Sequence, residues 1–169
     1  MSEKLSSRDC EQIIMDLASV IEHKCDYGEK FEILCDEEKV FYLVYTLEAE
    51  VSSGGFGSFF RHSYGEYTKE TARALEVIGA EKTTKLFKHA VRKFPFRLVP
   101  VNYDLRQIIA DFLDRRKVWD ALDDEFYTEE YAREMLRVQY SYIVDNKEKF
   151  IDSISGQLGD LRKYKGNRR

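Results

Sequence analysis

The chain of 169 residues is 43% hydrophobic and 34% charged, and its formal net charge is −4. This supply of apolar side chains is enough for one hydrophobic core and excludes general disorder. The first fifteen residues lack the apolar run of a signal peptide, and no later run reaches the roughly 18 apolar residues of a membrane span. We therefore expect a cytoplasmic protein that does not enter a membrane.

Apolar spacing predicts helices from the beginning of the chain. Ile, Leu and Val recur at intervals of three and four between Ser6 or Ser7 and about His23, which is the period of a helix with one buried face. Residues 25–35 break this period and fit either a short extended piece or a loop. Cys10, Cys25 and Cys35 contain no Cys-x-x-Cys pair, so we expect reduced thiols.

The second predicted helix begins at Asp36, where three acidic residues in a row complement the helix dipole, and runs to about Val51. Glu48 falls on its apolar stripe, so a carboxylate is directed at the core. The pair Gly54-Gly55 ends this helix, because glycine enters the left-handed region at little cost. Residues Phe56 to Phe60 then predict a short helix that packs back.

The remaining helices are separated by short joints with glycine or proline. They are a helix from Thr68 to Gly79, one that ends before Pro95, one around Leu105–Leu113 with a short acidic continuation to Leu122, and the longest from Thr128 to Phe150. The fold class is therefore predicted to be all-α, a single compact domain of seven or eight helices over residues 1–155, followed by a basic tail over 156–169.

Glu48 is the first candidate for chemistry, because a buried charge needs a partner. It is either a general acid or base with a raised pKa, or a structural acceptor. In the structural interpretation, which we favour, it accepts hydrogen bonds from the free amides after Gly54-Gly55 or pairs with Arg61.

Other patterns for catalysis are weak. The segment Gly54-Gly55-Phe56-Gly57 lacks the lysine and the spacing of a phosphate loop. His62 lies four residues after Ser58, but no third group is identifiable that would orient a hydrolytic pair. The three histidines have no metal-ligand spacing. The sequence thus predicts a protein that is not an enzyme and has no metal or cofactor.

Charge is distributed unevenly along the chain. Residues 1–50 carry a balance of −8, residues 81–106 of +5, and residues 107–134 of −5. A basic helix face is formed by Lys82, Lys85, Lys88, Arg92, Lys93 and Arg97, and it can contact phosphates or simply be solvated. The acidic cluster consists of Asp120, Asp123, Asp124, Glu125, Glu129 and Glu130. It predicts either helix capping or a surface for a basic protein partner.

Three motifs in order resemble the DNA-mimic-protein-19-like family over about residues 38–150. They are the segment that contains Glu48, Glu50, Val51, Gly54, Gly55, Phe56, Phe59 and Phe60; the pairs Ala74-Leu75 and Ile78-Gly79; and Leu122-Asp-Asp-Glu-Phe-Tyr127. The resemblance implies an all-helical domain, a homodimer and a structural role for the first motif. For the family's namesake it implies an acidic surface that imitates DNA and occupies a DNA-binding protein.

These observations leave three functional hypotheses. The first is a non-enzymatic interaction protein whose acidic face, formed by residues 107–134 with part of 1–50, binds a basic and DNA-binding protein. The second is a small enzyme or ligand-binding domain with a pocket at Glu48 and the Gly54-Gly55 turn, floored by Phe56 and Phe59. The third is a nucleic-acid-associated protein that uses the basic helix at 82–97 and the tail, which the absence of a known binding motif disfavours.

Overall fold

A computed structural model of the protein describes residues 6–154, with side chains for residues 6–150. This part of the chain contains no strand, and three short 3₁₀ turns accompany its helices at Phe31–Ile33, Ser63–Tyr67 and Pro95–Arg97. The prediction of an all-α fold with seven or eight helices is confirmed. The eight α-helices are α1 Ser7–Lys24, α2 Asp36–Arg61, α3 Thr68–Ile78, α4 Glu81–Val91, α5 Tyr103–Arg115, α6 Asp120–Phe126, α7 Glu129–Asp145 and α8 Lys147–Ile154.

The start of the first helix and the end of the third lie where local signals predict them. Ser6 caps α1 through a capping box, in which its hydroxyl accepts from the Asp9 amide at 3.2 Å and the Asp9 carboxylate accepts from the Ser6 amide. Gly79 ends α3 in the left-handed conformation, with φ +81°. The undecided segment 25–35 is a turn that contains a 3₁₀ helix at Phe31–Ile33. The predicted basic tail at 156–169 lies outside the described residues.

One long predicted helix is in fact two. The segment from Thr128 to Phe150 was predicted as a single helix, but α7 ends at Asp145 and α8 begins at Lys147. The side-chain amide of Asn146 donates to the Tyr142 carbonyl, so it satisfies an acceptor at the end of α7. The longest helix is instead α2, because its first half and the short helix after Gly55 form one kinked element.

Helix α2 is central, and it packs against α1, α3, α5, α6, α7 and α8. Its second half carries the aromatic centre of the core. Phe59 and Phe60 are almost completely buried, and the Phe60 ring lies 4.9 Å from Phe94 and 5.3 Å from Trp119 between ring centres. Each such side chain contributes about 1.5–3 kcal/mol by leaving water. The second half of α2 is therefore surrounded by packed rings.

Helix α5 buries a face that its sequence does not indicate. The most conspicuous apolar positions, Leu105, Ile108 and Phe112, are 50%, 67% and 59% exposed. The buried positions are Arg106 and two that follow it at helical spacing, Ala110 and Leu113. The apolar stripe of α5 thus faces outward, away from the core of the same chain.

Candidate functional site

The sharp bend in α2 depends on Gly55. This residue has φ +72° and ψ −178°, a combination that is essentially restricted to glycine. A Cβ atom placed there would lie 2.5 Å from an Asp123 carboxylate oxygen. Gly55 is therefore required both by its backbone conformation and by the closeness of α6.

Helix α6 holds both sides of this bend. The Asp123 carboxylate accepts a hydrogen bond from the Phe56 amide at 2.8 Å, which caps the second half of α2. The Tyr127 hydroxyl donates to the Val51 carbonyl at 2.8 Å, and the Phe126 ring lies 5.9 Å from that of Phe56. The first and third motifs of the family resemblance are thus two halves of one junction.

The predicted partners of Glu48 are wrong. The free amide after the bend is bound by Asp123 rather than by Glu48, and Arg61 pairs with Asp114 at 3.0 Å and with Asp111 at 3.5 Å. Burial raises the pKa of the Asp123 carboxyl, and the Phe56 amide opposes that rise. Asp123 is therefore a half-buried structural carboxylate.

The glycine-rich turn has no space for a phosphate. Asp123 occupies the helix N-terminus at Gly55 and Phe56, and a Cβ atom at Gly57 would lie 2.5 Å from an Asp114 oxygen. Two carboxylates of the protein thus stand where an anion would bind to such a turn. This geometry agrees with the sequence, which lacks the residues of a phosphate loop.

Glu48 accepts one hydrogen bond from the side-chain amide of Gln139 on α7, at 2.6 Å. Burial raises the pKa of the Glu48 carboxyl, the bond from Gln139 lowers it, and the nearby carboxylate of Glu11 raises it further. Within residues 6–150, Glu48 forms no ion pair. It is a half-buried carboxylate that is paired with no cation of these residues.

Two clefts reach Glu48. The larger, of about 440 Å³, lies between α1, α2 and α7 and is lined by Glu11, Glu48, Glu129 and Gln139 among others. The smaller, of about 160 Å³, is bounded by Ser52 and Tyr127. Gly54, Gly55, Phe56 and Phe59 line neither cleft, and both phenylalanines are buried. The predicted pocket floored by Phe56 and Phe59 is therefore wrong in its lining.

Ser58 and His62 do share a third group, which the sequence did not reveal. One oxygen of Glu50 accepts from the Ser58 hydroxyl at 2.9 Å and lies 2.7 Å from His62 Nδ1. The acid lies between the serine and the histidine, whereas a hydrolytic triad requires the histidine in the middle. This arrangement ties the turn of α2 together and cannot transfer the serine proton to the histidine.

The acidic cluster has mixed surroundings. Asp123 is half-buried at the bend, and the Glu125 carboxylate accepts from the Tyr131 hydroxyl at 2.6 Å. Glu130 pairs with Lys82 of the basic face, and Glu129 pairs with Arg133 at 2.5 Å. Asp120 lies 3.8 Å from Lys117, and Asp124 is exposed with no ion pair in the described part of the chain. Five of the six carboxylates thus lie at the surface.

Two buried polar residues outside the predicted site organise the helices around it. Glu134 on α7 accepts from the amides of Lys82 and Thr83 at 3.0 and 2.9 Å, so it caps α4. Arg106 donates to four carbonyl oxygens, including those of Phe60 and His62 at the end of α2. Both lie on amphipathic helices where a charged residue is expected at the surface, so the sequence carried no signal for them.

We expect Glu48→Gln to stabilise the protein by about 1 kcal/mol at neutral pH, because glutamine can accept the Gln139 bond without the cost of a partly buried charge. The folded pKa of Glu48 is raised above its ordinary value of 4.5. Its favourable contribution is therefore complete below pH 4.5 and is lost as the pH rises through the raised pKa. Urea denaturation across this range should show no difference between variant and wild type in acid and a difference at neutral pH. An equal difference at every pH would contradict the raised pKa.

Within residues 6–154, no helix is long and apolar enough to cross a membrane, and no group of three or more His, Cys, Asp and Glu side chains is placed to hold a metal ion. Comparison with curated proteins and with solved structures gives no significant match. The family model described as DMP19-like protein matches residues 32–146, which is more than half of the chain and includes both halves of the α2–α6 junction. The chain belongs to the DMP19-like protein family.

Proposed function

We propose that this protein is a non-enzymatic cytoplasmic binding domain that presents an acidic face to a basic, DNA-binding protein. We define the acidic face as Glu11 of α1 together with the exposed carboxylates of α6 and α7, namely Asp120, Asp124, Glu125, Glu129 and Glu130. Family membership supports this function, because the family's namesake imitates DNA.

The observation that carries the proposal is the position of Glu11 and Glu129 on the same cleft. They belong to the two acidic segments, 1–50 and 107–134, which the sequence separates by a basic one. A carboxylate from each acidic segment thus lies at the same cleft, which supports a shared surface. Charges on such a surface attract a basic partner over a distance of about 10 Å at moderate salt.

The ion pairs on the acidic face leave it available. Glu129 and Arg133 are both about three quarters exposed, and Glu130 pairs with a half-exposed Lys82. Exposed pairs of this kind contribute little to stability and exchange readily with other cations. An arginine or lysine of a partner can therefore replace Lys82 or Arg133. The pairing with Lys82 also marks where the acidic face ends and the basic face of α4 begins.

The test is affinity capture from native lysate at low and high salt, with identification of bound proteins and nucleic acid. We expect the variant Glu11→Gln/Asp124→Asn/Glu129→Gln to lose about tenfold or more of a DNA-binding protein that the wild type retains at low salt. The control Glu29→Gln/Glu70→Gln/Glu81→Gln removes the same charge from exposed sites without ion pairs in the described residues, and it should retain that protein.

The purified captured protein then provides a direct assay. The wild-type domain should displace duplex DNA from it, and the first triple variant should displace DNA poorly. Equal retention by both triple variants would overturn the acidic face as the binding surface. Capture of nucleic acid without a DNA-binding protein would instead favour the basic face.

We also propose that the protein is a homodimer joined through α5. Leu105, Ile108 and Phe112 form an exposed stripe on α5 at intervals of three and four residues, and Val101, which is 70% exposed, lies just before this helix. This is the spacing by which two helices pack along a seam. An antiparallel pair centred on Ile108 and Ile109 would place Leu105 opposite the partner's Phe112, so the stripe is complementary to itself.

The variant Ile108→Lys is expected to be a monomer under conditions in which the wild type is a dimer, as measured by light scattering after size exclusion. Its unfolding in the monomeric state should change by less than about 0.5 kcal/mol, because Ile108 is exposed within the chain. Val77→Lys on α3 is the control, since Val77 is a similarly exposed residue at 62%. A wild type that is monomeric at high concentration would contradict the dimer.

A further inference from the structure

The larger cleft at Glu48 contains more hydrogen-bond acceptors than the fold uses. Gln139 is 1% exposed and lines this cleft. Its Nε2 donates to Glu48 and to the Met135 carbonyl, but its Oε1 is buried and has no partner among the described residues. A buried acceptor without a donor is costly, by about 1–3 kcal/mol.

Carboxylates outnumber cations among the described residues that line the cleft. Among the described residues, Glu11, Glu48 and Glu129 line it together with one basic residue, Arg133, which is paired with Glu129. Glu48 is left with another carboxylate, Glu11, as its charged neighbour. The cleft is therefore complementary to a positively charged hydrogen-bond donor.

Apolar side chains in the walls of the cleft favour a ligand that also has an apolar part. Ile14 and Met15 on α1 and Leu136 on α7 line it, and the Met15 side chain is 56% exposed although it is large and apolar. An aliphatic stem that lies against these side chains leaves water while its charged end reaches Glu48 and Gln139. Lysine and arginine have this form, with a long apolar stem and a cationic donor at its end.

We propose that the cleft between α1, α2 and α7 is a binding site for a lysine or arginine side chain of the basic partner protein. The cationic end of that side chain pairs with Glu48 and donates to Gln139 Oε1, and its stem packs against Ile14, Met15 and Leu136. This inference rests on the proposed function, because the basic partner protein supplies the lysine or arginine side chain. It also makes that function more specific, because an inserted side chain fixes where the partner docks on the acidic face.

The site is tested first with small probes in the purified protein. N-acetyl-lysine amide and N-acetyl-arginine amide, titrated to millimolar concentrations, should shift the side-chain amide resonances of Gln139 and the backbone resonances of Glu11 and Glu48. N-acetyl-norleucine amide has the same stem without the charge, and it should cause no such shift. Equal shifts with norleucine, or no shift with either cation, would overturn the site.

Variants then assign the contact. Glu48→Gln keeps the size and the Gln139 bond, and it is expected to fold with undiminished stability and to bind the cationic probes about tenfold more weakly. Glu50→Gln is the control on the same helix, since Glu50 lies two residues away and is occupied by Ser58 and His62. It should bind the probes like the wild type, and an equal loss in both variants would contradict a specific role for Glu48.

Affinity capture with Glu48→Gln separates this inference from the proposed function. Retention of the DNA-binding protein by Glu48→Gln, with its loss from Glu11→Gln/Asp124→Asn/Glu129→Gln, would leave the acidic face in place and overturn the inserted side chain. Loss of that protein from Glu48→Gln but not from Glu50→Gln supports the insertion. If the cationic probes bind but no DNA-binding protein is captured from any form, the cation site stands and its assignment to a partner is overturned.

Discussion

Gly55→Ala is expected to lower the free energy of unfolding by about 3 kcal/mol or more. The backbone at Gly55, with φ +72° and ψ −178°, is one that alanine does not adopt without strain. The new Cβ atom would also lie 2.5 Å from Asp123, whose carboxylate caps the Phe56 amide. Relief of that contact requires the Asp123 carboxylate or α6 to move, and either movement gives up the cap. Urea denaturation followed by circular dichroism measures the loss.

Gly79→Ala is the matched control for this variant. Gly79 also has a positive φ at the end of a helix, but a Cβ atom there would meet nothing within 4 Å. Its replacement should therefore cost about 1 kcal/mol, from the backbone conformation alone. The double variant Gly55→Ala/Asp123→Ala should be less destabilised than the sum of its parts, because the two changes share one contact. Equal losses at Gly55 and Gly79 would show that α6 does not clamp the bend.

Arg106→Met is expected to cost about 3 kcal/mol, because it leaves several carbonyl oxygens without a donor inside the protein. The Arg106 side chain is fully buried. It donates to Phe60 at 3.0 Å and to His62 at 3.2 Å, both at the end of α2, and to Pro100 and Val101 before α5. Burial lowers the pKa of the guanidinium and nearby Glu66 raises it. Its stabilisation therefore comes from the carbonyls that it binds, since no carboxylate of the described residues is paired with it.

Two further variants separate the causes of that loss. Arg106→Lys keeps the charge but lacks the planar fork of donors, so we expect it to recover part of the lost stability. Arg115→Met, on an exposed part of the same helix, should change the free energy of unfolding by less than about 0.5 kcal/mol. The same denaturation assay applies. Full recovery by lysine would mean that charge alone matters and that the fork geometry does not.

Local signals in the sequence were enough to predict most helix boundaries. The Ser6 capping box and the stop at Gly79 depend on residues that lie within four positions of one another, so they can be read without knowledge of the tertiary fold. The bend at Gly54-Gly55 was predicted for the same reason. The break at Asn146 was not, because apolar residues continue across it at helical spacing and no glycine or proline marks the end of α7.

The faces of α5 could not be predicted from the sequence. Leu105, Ile108 and Phe112 form the kind of stripe that normally faces a core, whereas Arg106 is of a type that is rarely buried. The end of α2 reverses this expectation, because the Phe60 carbonyl requires a donor and Arg106 supplies it. A carbonyl at the end of α2 that requires a donor thus determines which face of α5 is buried.

The sequence identified important residues of the candidate site but not which of them contact one another. Asp123 and Glu48 were both singled out, but the cap of the bend was assigned to Glu48, whereas Asp123 provides it and Glu48 lines a cleft. Which carboxylate reaches the Phe56 amide depends on how α6 packs on α2, and no periodicity contains that information. Gln139 carried no signal at all, because a glutamine on a helix is ordinarily solvated.

The hydrogen bonds between α6 and the bend in α2 also constrain the order in which the protein folds. Asp123 and Phe56 are 67 residues apart in the chain, and Tyr127 and Val51 are 76 apart. The second half of α2, from Phe56 to Arg61, is too short to be stable as an isolated helix, and it lacks its cap until α6 arrives. During synthesis this segment would leave the ribosome long before its partner. Pulse-labelling hydrogen exchange should find the amides of Phe59 to Arg61 protected together with those of α6, and later than the amides of the first half of α2.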